Sequence, residues 1–458
     1  MAQAKSYSID MCSGPILPKL LRFSLPLMCS SMLQLMFNTA DIIVVGRFAG
    51  RASLAAVGST SSLINLLVNL FMGLSVGANI LAAKCFGAKD EKGVHETVHT
   101  AILLSIFSGL FVTVIGVVGA RKILQLMQSP PEVLDLAVLY LRIYFLGMIP
   151  TMLYNFGAAL LRAVGDTRRP LYYLSLAGVV NVVLNLFFVI VLKMDVAGVA
   201  LATIIAQAIS AFLVVRCLIR ESGTIHLDLR KLRIDPRSLR LILQVGLPAG
   251  LQSVLFSFSN VVIQSSVNSF GEMVVAGNSA AQSVEAFIYA AMNSIHQAAI
   301  SFTSQNYGAG HYRRIWRVML FSQLCVIATG LILGNTFLFF GTRILRLYTT
   351  DPFVMTHALV RMRILCTTYF LCGIMDVAVG TLRGIGQSVL PMIVSLVGAC
   401  GLRLVWIATV FQIPVYHTIN TVYWSYPVSW GLTALAHFIC IFFAMKKVKR
   451  QLLPEEAL

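Results

Sequence analysis

Twelve long apolar runs, joined by short polar turns, limit what this chain can fold into more than any other feature. They lie at about 20–46, 55–83, 94–119, 132–161, 170–191, 196–219, 239–267, 276–304, 315–340, 353–383, 391–412 and 419–445. A helix crosses a bilayer with about 20 mostly apolar residues, and each run is long enough. Transmembrane strands would alternate apolar and polar positions, whereas these runs are continuous. The chain is 58% hydrophobic and 12% charged, with a mean hydropathy of +0.83. A soluble domain is roughly 45–50% apolar and about 25% charged, so a soluble globular fold is excluded, and disorder needs the opposite balance. The expected fold class is an all-α polytopic membrane protein.

One polar stretch interrupts the pattern, ESGTIHLDLRKLRIDPRS at 221–238. It reads as a linker between an N-terminal six-helix lobe (1–220) and a C-terminal one (239–458). The two halves are related at an offset of 221 residues. FGA at 86–88 answers YGA at 307–309, Arg142-Ile143 answers Arg363-Ile364, and LRAVGDTRRP at 161–170 answers LRGIGQSVLP at 382–391. Upstream, SLP at 24–26 answers GLP at 246–248. Glycines, prolines and arginines in step over such a length indicate duplication. Because each half holds an even number of spans, the repeats are parallel, and two such bundles facing each other make a central cleft, as in many transporters.

The net charge of +17 arises from 35 Lys+Arg against 18 Asp+Glu. In a soluble protein that excess would point to nucleic acid; in a polytopic one basic residues mark cytoplasmic loops. With the N-terminus inside, 24 basic residues fall on the inner side and seven (Arg47, Arg51, Arg121, Lys122, Lys193, Arg343, Arg346) outside. Both termini and the linker are therefore expected in the cytoplasm, and no nucleic-acid partner is expected. The nine cysteines include no C-x-x-C pair and sit mostly in apolar runs, as small apolar side chains do. The first apolar run is too long for a cleavable signal. Walker A, H-E-x-x-H and G-x-S-x-G patterns are missing, so neither an enzyme nor a cofactor is expected.

Polar side chains inside spans are costly and usually face a cavity or a partner. On span one, Ser31, Gln34, Asn38 and Asp41 share a face at helical spacing. Span two offers Ser62, Asn65, Asn69 and Asn79; span five, Asn181 and Asn185; span seven, Ser253, Ser257, Asn260, Gln264 and Asn268. Span eight offers Asn278, Gln282, Glu285, Tyr289 and His296, and span ten Tyr369, Asp376 and Arg383. A single Asn or Ser is more often glue between helices, but aligned stripes in both halves favour a hydrated cavity. Asp41, Glu285 and Asp376 are the carboxylates well inside spans, and burial of a carboxylate without a task is expensive. His296 and His437 read as buried, hydrogen-bonded histidines, and His95 and His99 as surface.

The early LP followed by Asp41, the FGA and YGA turns after spans two and eight, and the LRAVGD and LRGIGQ turns after spans four and ten resemble the multidrug and toxic compound extrusion (MATE) family over nearly the whole chain. The resemblance implies a secondary antiporter of the plasma (inner) membrane that exports organic cations in exchange for protons or sodium ions. It would work as a monomer among membrane lipids. Asp41 would match the first-helix coupling acid and Asn181 its fifth-helix partner. Asp376 would match the tenth-helix acid, and Glu285 the eighth-helix acid of a bacterial branch; sodium could be held at Glu285 and Asp376. The chain departs from the family at span seven, where some members carry a glutamate and here Glu272 falls beyond the helix end. The cavity expected from the stripes is lined by Gln34, Asn38, Asn69, Asn181, Asn185, Asn260, Gln264, Gln282 and Tyr289. A lipid-linked precursor flippase of the same superfamily is the alternative. It would call for a basic cavity.

Overall fold

The computed structural model describes residues 7–127 and 131–452, apart from the side chains of Arg51 and Leu452. Lys5, counted above among the inner basic residues, and both chain ends lie outside them. The described residues contain helices and no strand. The spans run Ile16–Ala49, Ala52–Gly87, Glu91–Leu126, Pro131–Leu146 with Met148–Ala163, Arg168–Val191, Asp195–Arg220, Pro236–Asn268, Glu272–Gly308, Tyr312–Phe339, Pro352–Gly384, Val389–Gln412 and Ile419–Gln451. They are numbered one to twelve here, the bent pair being span four.

Ten of these helices are long and apolar enough to cross a membrane, eleven with the bent pair as one. The twelfth, Glu272–Gly308, has 37 residues and length to spare. Asn278, Gln282, Glu285 and His296 dilute its apolar character. Span four bends by 46° at Gly147, a break that the apolar pattern did not announce. Short π-helical segments end span one (Val45–Ala49) and span five (Phe187–Val191) and interrupt span eleven (Leu396–Gly401).

The chain forms two compact units. One comprises residues 1–10 and 29–250, the other 11–28 and 251–458. Each boundary inside a helix follows a repeat-related proline by two residues: Met28 follows Pro26, and Gly250 follows Pro248. A proline inside a helix removes one backbone hydrogen bond and favours a bend. In the first unit, spans two and seven meet through glycines. A Cβ on Gly73 would collide with the backbone of Gly246 and Gly250, and one on Gly77 with Ile242 and Gly246. This is the close backbone approach that small residues permit between membrane helices.

The 221–238 stretch is docked on the first unit. Ile225 and Leu227 are buried in its core. His99, read above as surface, is 1% exposed, and its Nε2 lies 3.1 Å from the Asp228 carbonyl. Asp235 caps span seven by accepting the Ser238 N–H at 2.7 Å, the arrangement that satisfies an orphan amide at a helix start. All nine cysteines are free.

Candidate ion-coupling site

Asp41 lies on the polar face of span one and meets polar faces of spans five and six, all in the first unit. Span one reaches span five because Gly178 has no side chain; a Cβ there would occupy the place of the Phe37 ring. Asn185 donates its amide to the Asp41 carboxylate and, at 3.4 Å, to Asn181 Oδ1. Asn181 in turn donates to Thr203 Oγ1 at 3.4 Å, and that hydroxyl donates to the Val199 carbonyl at 3.0 Å. Asn181 and Asn185 are buried, and Asn185 Oδ1 has no hydrogen-bond partner among the described residues.

Asp41, Asn181 and Thr203 line a cavity of about 50 Å³ together with Gln34, Asn38, Gln207 and Ser210, closed on its apolar side by Phe37, Leu174 and Ala177. A water needs about 10–15 Å³ measured in this way, so the space suits a few waters or one small ion. No Lys or Arg pairs with Asp41 among the described residues. The site therefore offers a carboxylate, amide oxygens and a hydroxyl, the hard oxygen donors that suit a proton or an alkali cation.

The second unit treats its acids differently. Glu285 is 3% exposed and accepts Arg361 Nε at 2.9 Å and Nη2 at 2.7 Å. Arg361 Nη1 donates to Asn278 Oδ1 at 2.7 Å, Asn278 donates to Gln264 Oε1 at 3.0 Å, and Gln264 donates to Asn268 Oδ1 at 2.9 Å. Gln264 thus joins a polar network with Glu285. Asp376 stands apart from this network. It is half-buried, its carboxylate makes no hydrogen bond among the described residues, and its backbone carbonyl receives His296 Nδ1 at 2.6 Å. His437 is fully buried, with Nε2 at 3.0 Å from Ser395 Oγ. Arg383, two turns beyond Asp376, donates to Gln252 at 2.8 Å.

The remaining expected cavity residues are exposed: Gln34, Asn38 and Asn69 in the first unit, and Asn260, Gln282 and Tyr289 in the second. Polar side chains exposed on a membrane helix more often face water than lipid, so this exposure is compatible with the hydrated cavity expected from the stripes.

A family model described as MatE matches residues 26–187 and, a second time, residues 248–409. The chain belongs to the MATE family of transporters. The double match restates the duplication, and its two segments open at Pro26 and Pro248. "Probable multidrug resistance protein YpnP" of Bacillus subtilis (strain 168) is 28% identical over 394 residues, covering 86% of this chain and 88% of the relative. "Multidrug export protein MepA" of Staphylococcus haemolyticus (strain JCSC1435) is 23% identical, covering 94% and 92%. Among solved structures, an outward-facing multidrug resistance MATE family transporter superposes with a TM-score of 0.91 at 21% identity, covering 98% of this chain and 100% of that one. A MOP superfamily transporter from Pyrococcus furiosus gives 0.91 at 22% identity, covering 98% and 100%. At that identity the likeness concerns the fold.

Within this MATE chain, sequence reasoning overlooked Thr203, Gln207 and Arg361. Thr203, Gln207 and Ser210 recur at steps of four and three on span six, so the spacing that exposed the other stripes would have exposed this one. Arg361 stands in an apolar run, and such an arginine calls for a buried acid nearby.

Proposed function

We propose that this MATE chain is an antiporter that exports organic cations in exchange for protons or sodium ions, and that Asp41 binds the coupling ion. The observation that carries this reading is the Asp41 carboxylate itself. It sits among amide and hydroxyl oxygens with no fixed cation beside it. A charge so placed is balanced either by taking a proton or by holding a small cation. A cavity of about 50 Å³ is far below the roughly 300–1,000 Å³ of organic ligand sites. The organic cation is then held on the wider wet face that carries Gln34 and Asn38. Ion binding at Asp41 removes the negative charge that attracts that cation, so ion entry and drug release are linked by electrostatics.

Sodium at Glu285 has less support, because both of its carboxylate oxygens already accept from Arg361. Asp376, which makes no such pair, is the second-unit candidate. The flippase reading has less support as well: the first-unit cavity is acidic, and relatives are named for multidrug resistance and multidrug export. The proposed setting is the plasma membrane, with both termini in the cytoplasm and a monomer as the working unit.

Uptake of a fluorescent organic cation from the medium into inside-out vesicles tests the reading under separately imposed proton and sodium gradients. One gradient should drive transport in the wild type, and Asp41→Asn should abolish that dependence. Equal transport by Asp41→Asn and wild type under both gradients would move the coupling site out of the first unit.

A further inference from the structure

The second unit holds a buried ladder of aromatic rings and guanidinium groups that the export reading does not use. Tyr423, Tyr426 and Trp430 on span twelve are spaced by three and four residues and share one face. The Arg361 guanidinium carbon lies 5.4 Å from the centre of the Tyr423 ring and 5.5 Å from that of Tyr426. Arg403 of span eleven lies 4.4 Å from the Tyr426 ring and 5.5 Å from that of Trp430. Rings and cations thus alternate, with Tyr426 shared between the two arginines. Arg361 is 4% exposed and Arg403 is 2% exposed.

The two arginines are not equally compensated. Arg361 has Glu285 and Asn278. Arg403 makes one hydrogen bond, from Nε to Ser429 Oγ at 2.8 Å. No carboxylate pairs with it among the described residues, and its Nη groups donate to none of them. Ring faces attract a guanidinium but accept none of its in-plane N–H groups. The ladder and Glu285 therefore hold two cations against one anion. The fully buried Tyr423 hydroxyl also lacks a partner among the described residues. A buried charge without a counter-charge is expensive, above all inside a membrane. An organic cation would be repelled here and would find the ring faces already covered.

A singly charged group that only accepts hydrogen bonds would give Arg403 both a counter-charge and acceptors for its Nη groups. We propose that Arg403, flanked by Tyr426 and Trp430, binds a monoanionic group, which is either the carboxylate of a carried molecule or a free halide. A carboxylate takes two parallel hydrogen bonds from the fork of a guanidinium. The site goes beyond cation export: it would admit to the second unit molecules that the acidic first unit repels.

Calorimetric titration of the full-length chain in detergent, in a sulfate background, with sodium benzoate and with sodium chloride tests the proposal. Binding should saturate near one anion per chain and weaken tenfold or more in Arg403→Gln. Benzoate at least tenfold tighter than chloride identifies a carried carboxylate as the source, and equal or tighter chloride identifies a halide. Tryptophan quenching by iodide provides a reading that leaves the arginine intact: wild type should show a saturable component that Trp430→Phe lacks. No saturable binding of either anion to wild type, binding unchanged in a folded Arg403→Gln, or quenching identical in Trp430→Phe would overturn the proposal.

Discussion

Arg361 closes on Glu285 with two parallel hydrogen bonds, Nε to Oε1 at 2.9 Å and Nη2 to Oε2 at 2.7 Å, across 76 residues of chain. Both side chains are 4% exposed, so neither can turn to water when the other is lost. Breaking a buried pair of this kind costs about 3–5 kcal/mol, because one charge stays buried alone. Glu285→Gln and Arg361→Gln should each lower the melting temperature in detergent sharply. A Glu285→Leu, Arg361→Met double variant should recover most of the loss. Additive losses in the double variant would show that the pair is not the unit of stability.

Asp41→Asn keeps the side chain's shape and its hydrogen bond with Asn185 but cannot take a proton or balance a cation. Expression and melting temperature should match wild type, while gradient-driven efflux should fall to background in the vesicle assay. A marked loss of stability would instead make Asp41 a packing residue for spans one and five.

Gly73 and Gly58 lie on the same helix in opposite circumstances. A Cβ on Gly73 meets the backbone of Gly246 and Gly250, and one on Gly58 meets nothing within 4 Å. Gly73→Ala should therefore destabilise by about 1–3 kcal/mol, the usual cost of overpacking. Gly58→Ala should stabilise by about 0.5–1 kcal/mol, through helix propensity alone. Melting curves of the two variants should move in opposite directions.

The Asp235 carboxyl is held below the usual carboxylate range, chiefly by the Ser238 backbone N–H that it accepts. A depressed carboxyl contributes stability that is present above its unfolded pKa of about 3.9 and is lost as pH falls through the lower folded value. The melting temperature of Asp235→Ala should lie below wild type by a constant amount from pH 7 to pH 5. Below pH 4 the gap should shrink. A gap unchanged at pH 3 would mean that the cap works without its charge.

The excess of basic residues on one set of loops predicts that 221–238 faces the cytoplasm. In a cysteine-free background, Gly223→Cys should react with an impermeant maleimide only in inside-out vesicles, and Ser269→Cys only in intact cells. The reverse labelling pattern would invert the topology.

The helices were legible because continuous apolarity is a local property and lipid leaves the backbone little choice but to satisfy its own hydrogen bonds. Eleven of the predicted runs lie within single helices to within a few residues, and the remaining one covers the bent pair. The Gly147 bend and the π-helical segments escaped, since continuous apolarity records the length of a span and not the course of its axis. His99 was misjudged for a similar reason: its neighbours in sequence are polar, but the 221–238 stretch folds back and covers it.

By itself, the sequence determined the helical class, the duplication, the charge asymmetry of the loops and the handful of acids worth attention. All of these follow from composition and spacing along one dimension. Which acid is free and which is paired was decided only by tertiary structure. Asp41, Glu285 and Asp376 look alike in their apolar runs. Glu285 meets Arg361 from a helix 76 residues away, Asp41 meets an amide 144 residues away, and Asp376 meets no hydrogen-bonding side chain among the described residues. The chemistry of a buried carboxylate depends on the charges and donors within a few ångströms. Helix packing sets those neighbours, and no periodicity within one span records them.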